Sequence, residues 1–215
     1  MNTEQAPASL SAKLRQSTMR EHRETEGTSF IKSLFQGTCS EKDYVSYLWA
    51  LAEVYESLEQ GMELNKNHPA VSRVYFPELF RLSALKQDLQ IWSQQFLPEI
   101  TRGVRSAVAS YSDRIKLIST SNPNLLVAHA YVRYLGDLSG GQMLGQSLNK
   151  RFPQNKGMNF YSYSIADADQ MKTLYRSRLD EIGSQSDSVT QEICTEAQAV
   201  FKYNELVFDA LAVLQ

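Results

Sequence analysis

From residue 48 to 62 the apolar side chains fall at Leu48, Leu51, Val54, Tyr55, Leu58 and Met62. Steps of three and four trace one face of an α-helix. The same period returns along most of the chain, in runs longer than the roughly five or six residues of an ordinary strand. The pattern predicts an all-α protein with helices over residues 10–26, 28–36, 41–66, 78–97, 99–119, 123–150, 168–182 and 188–213. Prolines mark the breaks: Pro7 ahead of the first helix, Pro69 and Pro77 in NHPAVSRVYFPELF, then Pro98, Pro123 and Pro153. A proline lacks the amide proton that a helix interior needs. SEKD at 40–43 places a serine where it can cap a helix and a carboxylate in the first turn. No repeat or low-complexity tract interrupts this organisation, so residues 1–9 read as a tail and 10–215 as one helical domain.

Composition narrows the function classes. A chain of 215 residues that is 42% hydrophobic can bury a large single core. Its formal net charge of −2 gives no basic field for nucleic acid. The two cysteines, Cys39 and Cys194, form no CxxC pair, so neither a zinc site nor a disulfide framework is expected, and a reducing, cytoplasmic setting fits. No stretch reaches the roughly 20 apolar residues of a membrane span. The C-terminal run AVFKYNELVFDALAVLQ is interrupted by Lys202, Asn204, Glu205 and Asp209 and reads as a packed amphipathic helix, not a membrane anchor.

The chemistry concentrates where helix formation should be weakest. YLGDLSGGQMLG holds Gly136, Gly140, Gly141 and Gly145, four of the chain's ten glycines. Each costs about 0.5–1 kcal/mol against alanine inside a helix. Gly136 and Gly140 share a face, and Gly141 and Gly145 make a second pair beside it. One close helix crossing would need only one such pair. A flat ligand lying on the helix would use both, with Asp137, Ser139 and Gln142 supplying polar groups around it. Of the three histidines, His68 falls in a polar turn and His129 in an apolar run typical of a core residue. His22 continues Leu10, Leu14 and Thr18 at four-residue steps, an inward stripe, with Glu26 one turn on to hold one ring nitrogen. A buried structural histidine explains this stripe; so does an axial ligand to a haem whose other face meets bare glycine helix. A ferritin-like di-iron centre is disfavoured, since its Glu-x-x-His signature is missing: Met19, Asn65 and Leu126 stand three residues before the histidines.

Several separated segments resemble haem oxygenases in the family's order. LLVAHAYVRYLGDLSGGQ at 125–142 is similar to the distal helix, and STMREHRETEGTSF at 17–30 to the proximal helix. VYESLEQGMELNKNHPAVSRVYFPEL at 54–79, LYRSRL at 174–179 and EAQAVFKYNELVFDAL at 196–211 extend the resemblance over most of the chain. It implies a single all-α domain with haem sandwiched between a proximal and a kinked distal helix. It implies oxidative cleavage of haem b, at once cofactor and substrate, by dioxygen and electrons from an external donor, giving biliverdin, Fe2+ and carbon monoxide. His22 falls on the iron ligand, with Glu26 behind it. Asp137 falls on the distal aspartate that orders water, Gly136 and Gly140 on the close backbone approach, and Tyr55, Tyr111, Arg133 and Asn204 on the distal hydrogen-bond network. Tyr131, Ser139 and Phe201 match haem-lining positions, and Arg15, Lys172 and Arg176 match propionate anchors. Met19 stands where relatives carry a lysine, which loosens the expectation of α-meso selectivity.

No nucleotide-binding glycine fingerprint follows a strand, so the electrons must come from a partner such as ferredoxin or an NADPH-dependent reductase. Lys13, Arg15, Arg20, Arg23, Lys172, Arg176 and Arg178 are candidates for a basic docking collar. A haem carrier or gas sensor would share the pocket without turnover, and a bare helical scaffold would leave the glycines unexplained.

Overall fold

The computed structural model describes residues 9–154 and 157–213. Residues 1–8, which hold Pro7 and nearly all of the expected tail, and the last two residues of the expected domain lie outside the described residues. Among the described residues every regular element is helical. The helices are α1 (Leu10–Ser17), α2 (Met19–Glu26), α3 (Ser29–Gln36), α4 (Glu41–Leu64), α5 (Val71–Val74), α6 (Leu82–Trp92), α7 (Arg102–Ser121), α8 (Leu126–Ala130), α9 (Gln142–Arg151), α10 (Ala168–Gly183) and α11 (Asp187–Ala212). Short 3-10 turns cover Pro77–Leu79, Pro123–Leu125 and Asn159–Tyr161.

Local chemistry sets several of these boundaries. Ser40 and Asp43 form a reciprocal capping box at the start of α4, as SEKD predicts: Asp43 N donates to Ser40 Oγ at 3.2 Å and Ser40 N to Asp43 Oδ2 at 3.1 Å. Gly37 ends α3 at φ 66°, a left-handed conformation that glycine adopts without strain. The helix expected over 78–97 is confined to 82–92. Its first amides are taken by a carboxylate of α4, with Arg81 N and Leu82 N donating to Glu59 Oε1 at 2.5 and 2.9 Å. It stops where Trp92 Nε1 turns to donate to Gly157 O at 2.9 Å. The helix expected from 99 begins at 102 instead, because Thr101 caps it through Val104 N. α5 is too short to leave a periodic signal and was not expected.

α4 packs on α6 and α7, and α11 crosses α7, α2, α3 and α8. Their facing side chains, among them Tyr44, Leu48, Leu58, Ile115, Val200 and Phe208, form one continuous core. Burial of this much apolar surface, not helix propensity, holds the helices in place. α6 then positions a remote loop: Asp88 Oδ1 accepts from Asn159 N at 2.8 Å and Asn159 Nδ2 at 2.7 Å, and Oδ2 from Phe160 N at 2.8 Å. That grip fixes Tyr161, whose contact with the glycine-rich segment matters below.

Candidate functional site

Two of the expected helices are discontinuous, and both breaks lie at the site. The first is interrupted at Thr18, with φ −103° and ψ 3°. Thr18 Oγ1 donates to Leu14 O at 2.7 Å, a back-bond of the kind that bends helices. The break corrects the placing of His22 on an inward stripe. Four-residue steps drift about 40° each around a helix, so three steps already carry position 22 about 120° from position 10. Leu10, Leu14 and Thr18 are buried, but beyond the break Glu21 and Thr25 take over the buried face and the His22 side chain is 55% exposed.

The second break lies in the segment expected as one helix over 123–150. It runs as a 3-10 turn, α8, two π-helical stretches (Tyr131–Leu135 and Asp137–Gly141) and α9. π-helical turns are rare and tend to occur at functional sites. The four glycines divide between two tasks. A Cβ built on Gly136 or Gly140 would meet nothing within 4 Å, so this face is open. The second bare pair is corrected: at Gly145 a Cβ would lie 2.8 Å from Tyr161 Cβ and 2.9 Å from its Cγ, and at Gly141 it would meet Asp137 Cβ at 3.6 Å. Gly145 is needed for close packing against the loop that Asp88 holds, while Gly136 and Gly140 leave backbone bare.

Beside the bare face stands a polar cluster gathered from five elements. Tyr55 on α4 donates its hydroxyl to Asp137 Oδ2. Arg133 Nε donates to Tyr55 Oη at 3.2 Å, Nη2 to Asp137 Oδ1 at 3.4 Å and Nη1 to Asn204 Oδ1 at 2.9 Å. Asn204 is fixed in turn by donating to Val200 O at 3.0 Å. Tyr111, fully buried on α7, lies near Asn204 and within the field of Arg133, its ring stacked on Tyr203 with centroids 5.4 Å apart. Burial pushes the Asp137 carboxyl above the usual carboxylate range, and Arg133 and Tyr55 only partly pull it back. Burial opposes the Arg133 charge as well, yet Tyr55 and Asp137 keep the guanidinium well above its ordinary pKa. The result is a buried cation held next to a carboxyl whose pKa lies above its ordinary value.

α11 joins this cluster to the histidine. Phe201 sets its ring edge-on to His22 with centroids 5.7 Å apart, while Asn204, three residues later, holds Arg133. His22 Nδ1 lies 3.3 Å from Glu26 Oε2, the contact expected from the spacing, which leaves Nε2 as the ring nitrogen that Glu26 does not engage. Tyr131, at the head of the first π stretch, sits beside Thr18 and within the field of Arg176 and Arg15, so the two breaks meet. Lys172 is half-buried and paired with Asp169 at 2.6 Å; Ser139 is exposed on the second π stretch. The exposed imidazole, the open glycine face and the basic rim fit a planar, anionic, iron-bearing group. Arg178 is a correction to the proposed collar. It lies two residues from Arg176, on the opposite flank of α10, and lines a separate groove.

Sequence reasoning missed a second polar cluster behind the first. Arg114 Nε and Nη2 reach Glu196 at 2.9 and 2.5 Å, and His129 Nε2 lies 3.0 Å from Glu196 Oε1. These residues stand on α7, α11 and α8, and no local spacing connects them. His129 is a hydrogen-bonded core residue, as its apolar surroundings suggest.

Comparison with known proteins gives a consistent result. A family model described as heme oxygenase matches residues 8–210. The chain is 37% identical over 209 residues to the heme oxygenase of Porphyra purpurea, covering 95% of this chain and 87% of that protein. It is 35% identical over 213 residues to heme oxygenase 1 of Homo sapiens, covering 97% and 73%. Among solved structures, heme oxygenase from Leptospira interrogans superposes with a TM-score of 0.85 at 39% identity, over 94% of this chain and 98% of that one. Heme oxygenase-1 from the cyanobacterium Synechocystis, in complex with heme, superposes with a TM-score of 0.87 at 32% identity, over 96% and 94%.

Proposed function

The chain belongs to the haem oxygenase family, and from that premise we propose that it binds haem between α2 and the π-helical segment and opens the ring to biliverdin, releasing Fe2+ and carbon monoxide. The observation that carries this reading is the pairing of an open Gly136–Gly140 face with an adjacent carboxyl, Asp137, held by Tyr55 and Arg133.

His22 is the residue to hold the iron, through Nε2, with Glu26 on Nδ1 fixing the ring. When bound, haem supplies the metal at which dioxygen is activated and the porphyrin that is consumed. The chain supplies position and protons. Gly136 and Gly140 admit the flat ring against main chain, and Phe201, Tyr131 and Ser139 line it. Arg15, Lys172 and Arg176 offer cations to the propionates; Lys172 must leave Asp169 to do so. Asp137 is the proton-handling group: Tyr55 and Arg133 fix its oxygens beside the open face, where it can order water that carries a proton. Asn204 holds Arg133 in that arrangement, and Tyr111 stands buried within the field of Arg133. Cleavage at the α-meso carbon follows if these anchors orient the propionates as in the family at large, with Met19 leaving one side uncharged.

Electrons come from an acidic partner of the ferredoxin or NADPH-dependent reductase class, docking on Lys13, Arg15, Arg20, Arg23, Lys172 and Arg176. Two unbridged buried cysteines, Cys39 and Cys194, support a cytoplasmic setting. No helix among the described residues is long and apolar enough to cross a membrane.

The test is haemin plus a reducing system, followed by absorbance and carbon monoxide release. Wild type yields biliverdin. A persistent Soret band without carbon monoxide would reduce the protein to a haem carrier.

A further inference from the structure

On the flank of α10 away from Lys172 and Arg176, a groove of about 430 Å3 runs between α10 and α5. Arg73 reaches it from α5 and Arg178 from α10, 105 residues later. Both guanidiniums converge on one carboxylate: Arg73 Nη1 lies 2.5 Å from Glu181 Oε2, and Arg178 Nη1 lies 2.8 Å from Glu181 Oε1. Two cations on one anion leave a net positive charge. Each arginine commits a single N–H to Glu181, and the side chains are 43% and 40% exposed, which leaves further N–H groups of each planar fork accessible beside the groove.

The remaining wall is not that of a plain ion pair. Phe76 presents a ring braced from behind by buried Tyr175, with centroids 5.7 Å apart. Pro69 adds a second apolar surface, and the Gln185 amide and Ser72 hydroxyl add polar groups at the mouth. We propose that this groove is a binding site for a small phosphate monoester whose organic group is planar and apolar. The dianionic phosphate would sit between the two arginine forks, where Glu181 now acts as an internal stand-in for one oxyanion, and the planar group would lie against Phe76. A dianion is favoured over a carboxylate because the Arg73–Glu181–Arg178 cluster already satisfies one carboxylate and keeps its excess charge. The ligand would tie α5 to α10. The site does not depend on how haem is bound or cleaved.

Phenyl phosphate is the probe, titrated into the full chain and followed by backbone amide resonances. Saturable shifts at Ser72, Arg73, Phe76 and Arg178 are expected, with tighter binding than inorganic phosphate. Arg73→Gln and Arg178→Gln each abolish saturation. Glu181→Gln, by removing the internal competitor, tightens binding about tenfold, the scale of one charge-assisted interaction. The haemin difference spectrum, unaltered in all three variants, shows that they are folded. Shifts reproduced by chloride at equal ionic strength would overturn the site. So would phenyl phosphate binding no tighter than phosphate, or Glu181→Gln leaving affinity unchanged.

Discussion

The interior of this protein holds two clusters built from the same parts, an arginine, a carboxylate and a polar ring, yet they hold their charge differently. At Glu196, burial alone would raise the carboxyl pKa, but hydrogen bonds from His129 and Arg114 outweigh it and hold the group down at about 2. At Asp137, burial wins over Arg133 and Tyr55, and the pKa sits above its ordinary value. Geometry explains the contrast. Arg114 meets Glu196 through two nitrogens at 2.9 and 2.5 Å, whereas Arg133 is shared among Tyr55, Asn204 and Asp137 and reaches the carboxylate only at 3.4 Å. Full pairing makes a permanent anion that stabilises the fold; incomplete pairing makes a carboxyl that can release and recover a proton.

Activity separates the two clusters most sharply. Asp137→Ala should cut biliverdin formation by about a hundredfold or more, the usual scale for removing a general acid or its relay, while haemin still binds. Glu196→Gln should leave turnover close to wild type. Equal losses in the two variants, measured as carbon monoxide release per bound haem, would erase the distinction.

The glycines give the next largest effect. Gly145→Ala drives a methyl to 2.8 Å from Tyr161, and overpacking of this kind costs about 1–3 kcal/mol. Gly140→Ala meets nothing and should stabilise the protein without haem by about 0.5–1 kcal/mol, through better helix propensity, while weakening haemin affinity. Denaturant midpoints and haemin titration on both variants measure these opposite signs. Destabilisation by Gly140→Ala would mean that this face is packed.

How much of this the sequence carried depends on how local each signal is. The α4 stripe, the Ser40–Asp43 box and the glycine cluster are short-range patterns, and the helical class with a bare distal face follows from them. Arg133 and Asp137 are four residues apart, a spacing that fits their pairing, but Arg133 too was assigned from the family resemblance. Nothing local joins Tyr55 or Asn204 to them, and those assignments came from family resemblance. The kink of the distal helix was implied by the resemblance, but its π-helical form carries no local side-chain signature. The Thr18 break escaped for a related reason: a threonine on a buried stripe looks like any other half-apolar residue until its back-bond and Tyr131 are placed. Glu196, His129 and Arg114 come from three helices and share no motif at all.

The dependence of stability on pH sets the two carboxyls against each other in sign. A folded-state pKa near 2 against 4.5 unfolded means that Glu196 contributes its stability above pH 4.5 and loses it as pH falls toward 2. At full ionisation that shift corresponds to about 3–3.5 kcal/mol before allowance for the partly exposed Arg114, and to less after it. His129, kept neutral by burial despite Glu196, acts in the same direction, because the unfolded chain takes up a proton first as pH falls. Asp137 has a raised pKa, so its contribution is present at low pH and lost as pH rises through the folded value. Glu196→Gln should therefore lower the melting temperature at pH 7 by several degrees, about 2–4 °C for each kcal/mol lost, with the gap from wild type closing between pH 4.5 and 2. Asp137→Asn should change the neutral melting temperature less than Glu196→Gln and show no such closing gap at acid pH. Parallel melting curves of the two variants across that range would place the two carboxyls in one class, and the division between a structural charge and a working one would fail.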